Sequence, residues 1–175
     1  MNRSIINIIC LVIGFFLGYQ IFLKKYPDLL YLGAKRKINT TANVIGTRGL
    51  PDADTRFVVK PNPDFLYATC FYDLKNGPMR LTGTMPDSTY WSVALYEPNT
   101  VNFYVKNDLE FNSNELDMVL TPPNIEGPKN DEDFEIVKSP NMEGLILFRI
   151  LVTDNSPENV KKYQTYSKSI KIEPL

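Results

Sequence analysis

The first pattern along the chain is an unbroken apolar run, IINIICLVIGFFLGYQIFL, nineteen positions at residues 5–23 without a charge. At about 1.5 Å rise per residue it makes a helix of about 28 Å, close to the roughly 30 Å hydrocarbon core of a bilayer. Arg3 stands before it, and Lys24 and Lys25 close it. A cleaved signal peptide is the competing reading, but such peptides carry a shorter apolar region of about 7–15 residues that ends at small residues. This run ends in Gln20, Ile21, Phe22, Leu23 and Lys24, none of them small, and bulky Ile9 is a poor neighbour for a lipidated Cys10. Length and all-round apolarity argue against a helix buried in a soluble core. Residues 5–23 therefore read as an uncleaved transmembrane helix behind a cytoplasmic tail of residues 1–4. Within it, Gly14 and Gly18 form a small-xxx-small pair on one face, where a second helix can approach closely.

Beyond the run, residues 24–39 read as a short helical or irregular stalk in which Pro27 can kink the chain. From about residue 40 to 175 a single β-rich domain follows. Short runs rich in aromatic and β-branched residues mark strands at 55–60, 65–73, 79–84, 90–97, 100–106, 118–121, 134–138 and 144–153. Trp91, Val93 and Leu95 alternate onto one face, and Val101, Phe103 and Val105 onto another. Turn signals separate the strands, among them Pro61-Asn62-Pro63, Asn76-Gly77-Pro78, Pro86-Asp87-Ser88 and Pro98-Asn99. Residues 145–152 are apolar on both faces, which predicts a central strand. The segment Asp154-Asn155-Ser156-Pro157-Glu158 supplies a cap, a proline at the first helical position and an early acid. A terminal helix is expected there, covering the sheet with Val160, Tyr163, Ser167 and, beyond them, Ile170. The fold class expected is mainly β: an antiparallel β-sandwich-like domain with a C-terminal helix, preceded by one N-terminal transmembrane helix.

Composition narrows the chemistry. The chain has 175 residues, which is one domain's worth, and 43% apolar content, which is a folding composition. Its 19 basic and 20 acidic residues give a net charge of −1, so nucleic acid is not an expected partner. It contains no histidine, which excludes imidazole bases, histidine triads and histidine-ligated metals. The two cysteines, Cys10 and Cys70, make neither a disulfide framework nor a zinc site. Phosphate-cradling loops, dinucleotide glycine patterns and nucleophile elbows are absent, and no cofactor is expected. Cys70 lies inside an apolar strand and reads as a buried structural thiol. The acidic segment at 124–135 lacks the ligand alternation of a calcium loop and reads as a solvated loop.

The densest unusual stretch is Pro61-Asn62-Pro63-Asp64-Phe65-Leu66-Tyr67, followed by Asp73-Leu74, Gly77-Pro78 and Tyr90-Trp91-Ser92-Val93. Ser139-Pro140 then precedes a strand at 145–151 that carries Arg149. In these elements, over roughly residues 38–175, the chain resembles the domain of unknown function 1254 family. Asn99-Thr100-Val101-Asn102-Phe103-Tyr104 and the N-terminal run make it similar to the small, membrane-anchored, single-domain members. Longer members continue into a second β-rich domain. The resemblance implies a β-rich fold and often an exported location, and it implies no established reaction.

The same residues have a physical reading of their own. The Asn62–Asp64 turn offers two side chains to nearby backbone, and Asp64 and Asp73 flank one strand. Arg80 and Arg149 lie in neighbouring apolar strands, where carboxylate–guanidinium pairing is expected. Asn62, Asp64, Tyr67, Asp73, Arg80, Tyr90 and Arg149 are therefore the candidate network, architectural or ligand-binding, with no catalytic or metal-binding residue assigned.

The functional expectation is a membrane-tethered, non-catalytic accessory or interaction protein of a membrane complex. Its expected partners are the lipid bilayer and either another membrane subunit or a second copy, met through the transmembrane helix. The alternative is an enzyme or binder of a small apolar molecule, built on Asp64, Tyr67 and Arg149. Orientation is finely divided. Residues 1–37 hold six basic residues against one acidic residue, and five of the six follow the run, which favours a domain inside. The four-residue tail favours export, and the family resemblance tips the balance. The β domain is expected on the periplasmic face of the inner membrane.

Overall fold

The computed structural model describes residues 3–38, 41–52, 54–55, 61–125 and 134–175. The strand expected at 55–60 and the middle of the acidic segment at 124–135 lie outside the described residues, apart from their end positions.

Helix α1 spans Arg3–Ile38, 36 residues with Pro27 inside it. That is about 54 Å of continuous helix. Proline lacks the N–H that would bond the carbonyl four residues back, yet the helix runs on through this position. The segment expected as a stalk is thus the second half of one helix, and its last two turns dock on the β domain. The Tyr31 ring meets the Phe71 ring edge-on with centroids 5.4 Å apart. Ala34, Ile38 and Leu145 complete this small apolar cluster.

The strands are β1 (Gly46–Thr47), β2 (Phe65–Asp73), β3 (Met79–Thr84), β4 (Trp91–Tyr96), β5 (Asn102–Asn107), β6 (Glu115–Thr121), β7 (Glu135–Lys138), β8 (Glu143–Leu151) and, after helix α2 (Pro157–Ser169), β9 (Lys171–Pro174). They form two sheets, ordered β1-β2-β8-β4-β5 and β7-β6-β3-β9. Neighbours pair antiparallel, except that β6 and β7 run parallel. The expected sandwich-like fold with a terminal helix is what the chain adopts.

The core lies between the sheets. One wall is Leu66, Ala68, Cys70 and Tyr72 of β2, Trp91, Val93 and Leu95 of β4, and Ile146, Phe148 and Ile150 of β8. The other is Met79 and Leu81 of β3 with Leu116, Met118 and Leu120 of β6. In each strand these are alternate positions, as a pleated strand with one face on the core requires. β8 is the middle strand of its sheet, as its two apolar faces predicted.

The alternation of Val101, Phe103 and Val105 does not mark the covered face of β5. In β5 the residues opposite inward-facing Val93 and Leu95 are Lys106 and Tyr104. Val101 and Val105 are exposed, and Phe103 packs on the margin of the core. An edge strand has a neighbour on one side only, so apolar alternation does not by itself say which face is covered.

Two contacts fix the β2–β8 end of the sandwich. The buried Tyr72 hydroxyl meets Ser139 Oγ at 2.8 Å. Gly144 lies so close that a Cβ there would sit 2.3 Å from both Tyr72 Oη and the Tyr96 carbonyl oxygen. Helix α2 begins as expected, with Ser156 at its cap and Pro157 in its first turn. Tyr163 and Ser167 are buried, Val160 and Tyr166 pack beside them, and Ile170 ends the helix in extended backbone that leads directly into β9.

Candidate functional site

The residues of the candidate network separate into three places. Asn62 Oδ1 accepts from the Asp64 amide at 2.9 Å, closing the expected turn. The Tyr67 hydroxyl accepts from the Asn62 amide at 3.0 Å, pinning the turn to the strand that follows. Tyr90 stands edge-on to Phe65 with centroids 5.9 Å apart. Asp64 is exposed, and its carbonyl accepts from the Val152 amide at 2.8 Å. Arg149 lies opposite Tyr67 on one side and Ser92 on the other. Its Nε donates to Ser92 Oγ at 3.1 Å, so the expected pairing with Asp64 or Asp73 is replaced by a buried hydroxyl. Of the three groups expected to converge, Tyr67 and Arg149 are register partners across β2 and β8, while Asp64 lies just before β2 at a separate depression. The depression at Asp64 is walled by Leu151, Val152, Thr153, Asp154 and Asn155.

Asp73 belongs to a second place, the docking seam of α1. Lys75 Nζ lies 3.2 Å from Asp73 Oδ2 and 3.1 Å from Glu143 Oε1. Lys35 of α1 reaches the other oxygen of Glu143 at 3.0 Å. Tyr31 donates to the Gly144 carbonyl at 3.2 Å. The hydrogen bonds from Lys35 and Lys75 hold the Glu143 carboxyl below its ordinary range. The Tyr31 hydroxyl is pushed up, first by burial and then by the Glu143 charge. A charged side chain of the long helix is thereby latched to a short ionic chain on the sheet.

Arg80 belongs to a third place. Its Nε and Nη2 bind the two oxygens of Asp117 at 2.8 and 2.7 Å, a bidentate pair. Thr82 lies opposite Asp117 in the register, so Arg80 and Asp117 are diagonal neighbours on the outward face of their sheet. The Arg80 guanidinium also sits 5.2 Å from the centre of the Phe134 ring. Beside this pair, a cleft of about 380 Å³ is lined by Lys106, Phe111, Asn112, Ser113, Glu115, Asp117, Phe134 and Glu135. Lys106 Nζ stands 4.6 Å from the centre of the Phe111 ring, which packs in turn on Trp91 at 4.8 Å. Glu135 joins the two sheets: Oε1 accepts from Tyr104 at 2.9 Å, and Oε2 pairs with Lys106. Burial and the Glu135 hydrogen bond push the Tyr104 hydroxyl well above its ordinary value.

Sequence reasoning missed Lys106, Phe111, Asp117, Phe134 and Glu135. One signal was available: Leu116, Met118 and Leu120 alternate with Glu115 and Asp117, which makes 115–121 a single strand with its carboxylates outward. Two of the three lining carboxylates of the cleft are paired with cations, and the third, Glu115, accepts from the Thr84 hydroxyl. Glu135 and Asp117 already hold cations, and those cations cover the aromatic rings. Among the described residues no group of three or more carboxylates, thiols or imidazoles is placed to hold a metal. Cys70 is fully buried, and burial pushes its thiol up to about 12, the setting of an inert structural cysteine.

Helix α1 is long and apolar enough to cross a membrane, with mean hydropathy 2.3 over its most apolar 18 residues and none of them buried; a signal sequence near an N-terminus has the same properties. Gly14 and Gly18 have open space where their side chains would be.

A family model described as "Protein of unknown function (DUF1254)" matches residues 41–174. No curated protein matches the chain. Among solved structures, the VPA0106 protein from Vibrio parahaemolyticus superposes with a TM-score of 0.65 at 14% identity, over 85% of this chain and 35% of that one. An uncharacterized protein from Burkholderia cenocepacia superposes with a TM-score of 0.53 at 16% identity, over 87% of this chain and 42% of that one. The chain therefore spans less than half the length of either protein, and at these identities the likeness is one of fold.

Proposed function

The chain belongs to the DUF1254 family, and from that premise we propose that it is a small, membrane-anchored, single-domain member. In this reading it is a non-catalytic accessory or interaction protein of a membrane complex. Residues 1–4 form a cytoplasmic tail, 5–23 cross the inner membrane, and the β domain lies on the periplasmic side. The observation that carries the reading is the continuity of α1: one helix runs from the apolar segment to the Tyr31–Phe71 and Lys35–Glu143 contacts. A free tether would leave the domain to tumble. A helix latched on the sheet instead fixes the domain against whatever the membrane segment binds.

Helical geometry adds direction. At about 100° per residue, Gly14 and Gly18 fall on the side of α1 away from Tyr31 and Ile38. The small-residue face stays clear of the docked domain and is free for a second helix, from another subunit or a second copy.

Purification in mild detergent tests this. The reading requires a stoichiometric membrane partner or a second copy, lost in Gly14→Ile/Gly18→Ile; a chain that stays alone in both forms refutes it. Phosphatase and fluorescent-protein fusions at Leu175 test orientation, and a fluorescent, phosphatase-inactive pair would place the domain inside.

A second reading, a binder or enzyme for a small molecule, draws on the cleft at Lys106 and Glu135, where carboxylates, an arginine and Tyr104 do gather. The lining is charged, which suits a polar ligand better than the apolar one first considered. Its pre-formed pairs rank it second.

A further inference from the structure

The half of α1 beyond the apolar run has two unlike sides. Tyr31, Ala34, Lys35 and Ile38 face the β domain. On the other side Tyr26, Leu29, Leu30 and Leu32 are 45%, 57%, 48% and 48% exposed, a set of large apolar residues with no protein over them. Basic residues bracket this patch, Lys24 and Lys25 before it and Arg36 and Lys37 after it. Within it Lys25 pairs with Asp28 at 3.5 Å, which lowers the cost of carrying either charge near lipid.

We propose that this outward face of residues 26–33 is a lipid-docking surface that seats in the headgroup layer of an anionic bilayer, with the β domain carried on the opposite, membrane-distal side of the helix. The inference rests on the reading of residues 5–23 as a span. Two features select lipid as the occupant. The patch is continuous with the span along one unbroken helix, so it lies beside the bilayer whatever else binds. Apolar residues bracketed by lysine and arginine are also the pattern of interfacial helices, whose side chains enter the acyl boundary while their cations meet phosphate.

Height sets the geometry. An upright helix would lift Leu29 and Leu32 about 9 and 14 Å past Leu23, beyond a headgroup layer of roughly 5–8 Å. A tilt of about 40° toward the outward face, the upper end of the range for membrane helices, lowers those heights to about 7 and 10 Å, from where the side chains point down into the layer, and the lysine stems at 24 and 25 extend to keep their charges in water. A partner helix crossing at Gly14 and Gly18 would not cover the patch. Crossings of this type run at about 40°, so the two axes have parted by Leu29.

The test places a tryptophan on the patch of the full chain in vesicles whose lipids carry bromine on the upper acyl carbons. Leu30→Trp is the reporter, and Trp91, 1% exposed in the core, is the unquenched reference within the same molecule. Leu17→Trp reports the span. In phosphatidylcholine vesicles containing phosphatidylglycerol, emission from Leu30→Trp should fall about twofold, and by less in pure phosphatidylcholine or in an Arg36→Gln/Lys37→Gln background. Quenching at 17 without quenching at 30 overturns the inference and leaves the span standing, since the face then lies in water or against protein. Quenching at neither position overturns the span itself. Equal quenching with and without the anionic lipid overturns the role given to the basic residues.

Discussion

On the side of the sandwich bounded by β1, β2 and β3, helix α2 closes the gap with Val160, Tyr163, Tyr166 and Ile170, which merge with the core. On the side bounded by β5 and β7, Lys106, Glu135 and Tyr104 close it with one ion pair and one hydrogen bond. The first closure stabilises in proportion to the area it takes from water, and salt and pH barely touch it. The second contributes little net free energy, because each partner gave up water to make it, but it sets which atoms meet across the gap. The docking seam of α1 mixes the two, with Tyr31 against Phe71 beside Lys35 against Glu143. A helix that must stay in register with a sheet while remaining at the water boundary is well served by both.

Substitutions separate the three seams by size of effect. Tyr163→Ala on the apolar side should cost about 3–5 kcal/mol, the range for removing a large buried aromatic ring, read from the urea midpoint in detergent. A loss below about 1 kcal/mol would mean that α2 is an ornament on a finished core. Gly144→Ala strikes the β2–β8 end of the core, next to the α1 seam, where the new Cβ collides with the Tyr72 hydroxyl and the Tyr96 carbonyl. The expected cost is about 1–3 kcal/mol, with Tyr31 displaced from its acceptor. Glu135→Gln on the polar side should cost about 1 kcal/mol, and the difference from the parent should narrow in high salt. A salt-independent loss would show that packing, not charge, closes that side.

The smallest effect comes from acid. Glu143 titrates below its ordinary range in the folded chain, so its contribution is full above the ordinary glutamate value of 4.5 and is lost as the pH falls through the lower folded value. The amides of residues 31–38 should therefore exchange faster, after correction for intrinsic rates, at pH 3.5 than at pH 6 (on the order of severalfold), while those of β8 hold. Unchanged exchange in α1 would assign its docking to Tyr31 and Ile38 alone.

The legible parts of this fold were those with strong periodicity and hard stops. β2 and β3 fall at the expected residues because Pro61, Pro63, Asn76, Gly77 and Pro78 bound runs whose apolar content is high. β1 and β9 were not foreseen. Gly46–Thr47 and Lys171–Pro174 are short edge strands with little apolar pattern, and they exist because β2 and β3 offer open edges to pair with. The polar pairs were the hardest to see. That Arg80 needs a carboxylate follows from its apolar strand, but the choice of Asp117 over Asp64 or Asp73 depends on the β3–β6 register, which no local pattern encodes. Arg149 shows the same limit: its partner Ser92 lies on a strand 57 positions away in sequence.

The buried thiol of Cys70 has a use that its inertness creates. Reagents attack thiolates, and a group with its proton held to about pH 12 and no surface exposed is modified only when the sandwich opens. Its labelling rate at neutral pH, divided by that of the unfolded chain, is the population of open molecules. The chain thus carries a built-in stopwatch for its own opening, readable by mass spectrometry in an intact bilayer without denaturant.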